Sequence, residues 1–172
     1  MRLGSRIALR SVDVTIEGAA NVPERGPAII AARHYHHLYD GCALLQAVPR
    51  QVHVVAGLDW LEPGLAETMM RRACEAARWP IVTRPEKGAD IDRERFAESR
   101  RAYADIMALL RDDRIVLIFP EGYPAIDPHP SPRPAGEAML PFQRGFAQIA
   151  MASTRSGMTV PVVPAGLAYE SD

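Results

Sequence analysis

A chain of 172 residues, 48% hydrophobic and 24% charged, has the length of one domain and an ordinary globular composition. Its formal net charge of −1 excludes a broadly basic surface, so nucleic acid is not an expected partner. No window approaches the ~18 apolar residues of a membrane span, and Cys42 and Cys74 lack metal-ligand spacing and read as buried, reduced thiols.

In chain order, residues 1–11 carry Arg2, Arg6 and Arg10 at a spacing of four with Leu3, Ile7 and Leu9 between them. This is either a short basic amphipathic helix suited to an anionic lipid surface or a solvated, frayed terminus, and its apolar part is too short for a signal peptide. Strand-like runs bounded by Gly or Pro follow at Val12–Ile16, Ala28–Ala32, Val52–Ala56, Ile81–Val82, Ile115–Phe119 and Val160–Val163. Between them Leu65–Arg78, Arg93–Leu110 and Arg144–Thr154 have helical spacing, the clearest being Arg93–Leu110 with Phe96, Tyr103, Met107 and Leu110 on one face. The alternation predicts an α/β fold, a single domain over residues 12–172 with a largely parallel mixed sheet flanked by helices. The Pro-dense run Asp127–Pro134 suits neither helix nor inner strand, and reads as a plain extended loop or a flap beside the site.

The chemistry is concentrated after the second of these strands, where Ala28–Ala32 runs into Arg33-His34-Tyr35-His36-His37-Leu38-Tyr39-Asp40. A lone His at a strand end is ordinarily a satisfied surface or core residue. Three histidines in four positions ahead of an aspartate, at a strand-to-helix junction, mark a place where α/β sheets gather their chemistry and where Asp can orient a general base. Three more short motifs follow: Val82-Thr83-Arg84, Phe119-Pro120-Glu121-Gly122 and Val160-Pro161. No phosphate-binding loop, dinucleotide fingerprint or Gly-x-Ser-x-Gly elbow is present.

These four blocks, in this order, resemble the glycerolipid acyltransferase family typified by 1-acylglycerol-3-phosphate acyltransferase, over about Val12 to Tyr169. The family has His-x4-Asp, Val-x-Arg, Phe-Pro-Glu-Gly and Val-Pro blocks, of which Phe-Pro-Glu-Gly is the most specific. The first block departs from the pattern, because the residue five before Asp40 is Tyr35. His34 then gives His-x5-Asp and His36 gives His-x3-Asp; His34 is the first choice for the catalytic base, with Asp40 as its partner, and His36 is the alternative base. His36 would share a face with Asp40 only if the helix had already begun. After Gly122 the family usually continues Thr-Arg, whereas this chain has Tyr123-Pro124 and lacks that phosphate-binding Arg.

The resemblance implies transfer of a fatty acyl group from a thioester, acyl-CoA or acyl carrier protein, to the hydroxyl of a lyso-lipid, lysophosphatidic acid by default, in phospholipid biosynthesis. It assigns Arg84, Glu121 and Gly122 to the acceptor region; Arg144 could assist there, or simply point to water at a helix start, and Glu121 could simply be a structural anchor pairing with a nearby Arg or a backbone amide. No cofactor is expected beyond the thioester co-substrate, and membrane contact is expected to be peripheral, at the cytoplasmic face. The family commonly continues with further strand and helix, so the expectation is a domain cut short at its C-terminus. Two competing readings are a metal site built from His34, His36, His37 and Asp40, with His53 or His129 from elsewhere, and a non-catalytic lipid-binding relative.

Overall fold

The structure, a computed structural model, describes residues 2–36, 38–82, 93–125 and 139–169, the side chains of 2–3 and 93–95 excepted. The chain forms an α/β domain. Helix α1 (Arg2–Ala8) precedes β1 (Ala28–Ala32), α2 (Tyr39–Ala47), β2 (Val52–Val54), β3 (Ala56–Gly57), α3 (Leu65–Ala76) and β4 (Ile81–Val82). Helix α4 (Arg93–Arg111), β5 (Ile115–Ile118), α5 (Gly145–Arg155) and β6 (Val162–Ala165) complete it. The main sheet has the order β2-β5-β1-β6 and every pairing in it is parallel; β3 and β4 form a separate parallel pair.

Both faces of the main sheet are covered, which is why its central strands are apolar at every position rather than at alternate ones. Ala28, Ile30, Ala32, Ile115, Leu117, Val52 and Val54 point to one face and pack with Leu44 and Val48 around α2. Ile29 and Val116 point to the other, against Ile106, Met107, Leu109 and Leu110 of α4 and Ile149 of α5. Helix α1 lies against α2, burying Ser5 and Leu9 and leaving Arg6, Ile7 and Arg10 outside. Among the described residues no helix is long and apolar enough to cross a membrane.

Four sequence expectations need correcting. Val12–Ile16 is not a strand: Val14 and Ile16 are exposed, and the segment pairs with no strand among the described residues before Gly18 turns the chain in the left-handed region at φ 68°. Val52–Ala56 is two strands, because the chain changes sheets there: Val55 donates to Leu117 O, whereas Ala56 donates to Pro80 O. On α4, Met107 and Leu110 of the expected face are buried but Phe96 and Tyr103 are exposed, and Ala102, Ile106 and Leu109 complete the buried stripe, so periodicity located the helix and only part of its inward face. Strand β6 also begins two residues later than expected and contains Pro164, tolerated because it is an edge strand.

His53, on β2, belongs to this core. Its Nδ1 lies 3.1 Å from Ala77 O and from Arg78 O, so it carries the proton, while the buried Nε2 has no partner among the described residues. Burial pushes its pKa below the usual histidine value, with the carbonyl contacts opposing this in part. A histidine held neutral in the fold but free to protonate near pH 6.5 when unfolded contributes stability above that pH, and the contribution is lost as pH falls through the window below it. Urea unfolding at about pH 7.5 and 5.5 should show stability falling by up to about 1.4 kcal/mol per unit below 6.5 from this residue. His53→Asn, whose amide nitrogen can stand where Nδ1 does but does not titrate, should show a smaller fall; an equal fall in both proteins refutes the assignment.

Candidate active site

In a parallel sheet all strands deliver their C-terminal ends to the same edge, and adjacent strands deliver them within reach of one another. Here β5, β1 and β6 are adjacent, so the segments that follow them, residues 119–122, 33–36 and 166–169, meet at one edge of the sheet. The candidate residues come from these three exits.

At their centre is Asp40, in the first turn of α2 and with no exposed surface. Its Oδ2 accepts from His34 Nδ1 at 2.8 Å, from the backbone N–H of His36 at 2.8 Å and from that of Tyr35 at 2.5 Å. Its Oδ1 accepts from the Tyr169 hydroxyl. Position near a helix N-terminus adds the favourable end of the helix dipole. The residue inserted relative to a four-residue spacing is accommodated here: α2 begins only at Tyr39, and residues 35–36 wrap under the carboxylate so that both amides point at Oδ2.

Because a carboxylate contact requires a donor, His34 Nδ1 carries the proton of the neutral ring and Nε2 carries the lone pair. The ring is stacked on Phe119, centroids 4.1 Å apart at 20°, and is 14% exposed, so its orientation is set on one side by Asp40 and on another by the residue that leaves β5. His36 is engaged differently. Its Nδ1 accepts from the backbone N–H groups of Leu38 and Tyr39 at 3.2 and 3.4 Å, capping the start of α2, and its ring stacks on Tyr39. The structure pairs His34, and not the ring of His36, with Asp40.

Glu121 is buried and takes two backbone donors, His34 N–H on Oε1 at 3.0 Å and Leu140 N–H on Oε2 at 2.9 Å. It ties the exit of β1 to the chain beyond the Pro-dense run. Ala125 N–H to His34 O and Gln143 N–H to Pro120 O secure the two flanks of that run to the same place; residues 127–134 themselves lie outside the described residues. Gly122 has φ 77°, and its amide closes a turn on Phe119 O. No atom would obstruct a Cβ there, so the backbone conformation rather than space calls for glycine. Arg144 is exposed at the N-cap of α5, immediately after Gln143. Arg84, His37 and His129 lie outside the described residues.

Among the described residues no three His, Cys, Asp or Glu side chains converge as a metal site would need. The histidines of the cluster are divided instead between a carboxylate (His34) and a helix start (His36), and His53 is bonded to the carbonyls that follow α3. Cys42 and Cys74 are both free, with thiol pKa values raised by burial.

The family model Acyltransferase matches residues 13–168, a span that takes in the His34–Asp40 pair, the Glu121 turn and β6. The chain belongs to the acyltransferase family. No curated protein and no solved structure shows significant similarity to it. In this acyltransferase one site residue was missed by the sequence reading. Tyr169 reaches Asp40 from 129 residues away and stacks on Tyr35 with centroids 4.8 Å apart, yet it lies one residue beyond the family match, and a lone aromatic after the last block carries no signal of its partner.

Proposed function

We propose that this acyltransferase moves a fatty acyl group from an acyl thioester to the hydroxyl of a lyso-glycerophospholipid, with His34 as general base and Asp40 as its orienting partner. The observation that carries the reading is the His34 Nδ1–Asp40 Oδ2 contact of 2.8 Å, which leaves the Nε2 lone pair to receive a proton. The acceptor hydroxyl attacks the thioester carbonyl as its proton passes to Nε2, and Asp40 stabilises the imidazolium. The tetrahedral intermediate then expels the thiolate, which takes the proton back from Nε2, releasing ester and thiol. No protein nucleophile takes part. The donor is acyl-CoA or acyl carrier protein, and the resemblance favours lysophosphatidic acid as acceptor, with Arg84 as the cation for its phosphate because a guanidinium fork makes two charge-assisted bonds.

Lipid substrates call for a peripheral approach to the membrane, at the cytoplasmic face. The exposure of Arg6 and Ile7 on α1 and of Arg10 just after it supports that approach. At roughly 1 kcal/mol per Arg near an anionic leaflet, Arg2, Arg6 and Arg10 together supply about 3 kcal/mol, enough for reversible binding.

His34→Ala should lower turnover with a thioester donor and lysophosphatidic acid by ~10²-fold or more with an unchanged circular dichroism spectrum, and His36→Ala by much less. Full activity in His34→Ala with loss in His36→Ala reverses the assignment. Arg84→Ala should reduce kcat/KM for the phosphate-bearing acceptor by about 10–100-fold while sparing the donor KM; an equal loss with an uncharged acceptor counts against phosphate recognition. Co-sedimentation with anionic vesicles should exceed that with neutral ones and weaken with salt. Binding indifferent to both removes the electrostatic part of the membrane reading.

A further inference from the structure

A buried carboxylate has to satisfy both oxygens, and on Asp40 the two are served unequally. Oδ2 has three donors, all from residues 34–36, while Oδ1 has the Tyr169 hydroxyl, brought in by the segment after β6. We propose that Tyr169 is a positioning residue for the acyl-transfer reaction: by occupying Oδ1 it fixes the plane of the Asp40 carboxylate, so that Oδ2 stays on His34 Nδ1 and the ring keeps its lone pair on Nε2. The proposal rests on the reading of His34 as base.

Three observations support it. Asp40 has no exposed surface, so water does not replace a lost Oδ1 partner without rearrangement. The Tyr169 ring is itself held, stacked at 20° on Tyr35, whose backbone N–H is one of the Oδ2 donors, so one contact orients both the hydroxyl and the loop beneath the carboxylate. Burial, then the bond to Asp40 and its charge, push the Tyr169 pKa far above the usual tyrosine value, so the hydroxyl remains a donor throughout the working pH range. With the hydroxyl gone, the carboxylate gains by rotating to share its donors between both oxygens, and the His34 contact is the one made by a side chain rather than by fixed backbone.

Tyr169→Phe keeps the ring and its stack, and Tyr169 belongs to neither core cluster, so the variant should fold. Two readouts apply. Steady-state kinetics with oleoyl-CoA and lysophosphatidic acid should show kcat reduced about tenfold, the equivalent of about 1.4 kcal/mol in the barrier, with both KM values within about twofold of wild type. Nitrogen NMR of histidine-labelled protein, with His34→Ala to assign the resonance, should show the neutral His34 ring proton largely on Nδ1 in the wild type and divided between Nδ1 and Nε2 in Tyr169→Phe. An unchanged tautomer in Tyr169→Phe overturns the inference whatever the kinetics do, since a purely structural role would lower stability without moving it. A changed tautomer combined with full activity in His34→Ala upholds the role of Tyr169 at the Asp40–His34 pair and removes instead the reading of His34 as base.

Discussion

Taking a carboxylate out of water costs several kcal/mol, and Asp40 is out of water entirely. The cost is offset by four donors, of which hydrogen bonds to a charged group contribute about 1.5–3 kcal/mol each. Those donors are His34, the amides of Tyr35 and His36, and the hydroxyl of Tyr169. Meeting this requirement dictates much of the local structure. It draws the loop after β1 under the carboxylate, delays the start of α2 to Tyr39, turns the His34 ring so that Nδ1 faces inward, and pulls the segment after β6 across to β1.

Glu121 repeats the arrangement one strand away. It too is buried, and it is satisfied by the chain's own amides, from His34 on one side and Leu140 on the other. His34 is therefore gripped at three points: its amide by Glu121, its ring nitrogen by Asp40 and its ring face by Phe119. A side chain held this way loses little freedom when a ligand arrives, which is the rigidity that the proposed role as base requires. The parallel sheet makes the grip possible. With β5, β1 and β6 side by side, their exits converge without long connections, and the apolar packing on both faces fixes where each exit lies.

Much of this was legible in the chain. Ala28–Ala32 is a strand with the boundaries its composition suggests, and the 19-residue helix α4 sits where helical periodicity put it. The blocks around His34, Asp40 and Glu121 are short-range patterns, and short-range patterns are what a linear reading can see. What was not legible was orientation. Nothing in the spacing of α4 distinguishes an inward Ile106 from an outward Tyr103, because both lie on apolar stripes and the neighbouring layer selects between them. Nor does the apolar alternation of Val12–Ile16 reveal that no strand among the described residues stands beside it to receive its hydrogen bonds.

The sequence by itself determined the fold class, the strands β1 and β5, the helices α3, α4 and α5 to within a residue or two, and the residue types proposed to carry acyl transfer, because propensity, periodicity and motif are local properties. Only the tertiary structure decided which of the His34 and His36 rings meets Asp40. The two histidines are two positions apart and chemically identical, and what separates them is that α2 starts too late for the His36 ring to share a face with Asp40, leaving that ring to cap the helix while His34 meets the carboxylate. Tertiary structure alone also joined Tyr169 to Asp40, across 129 residues, because such a contact depends on β6 pairing beside β1, and strand pairing is a matter of packing between distant segments that no local pattern encodes.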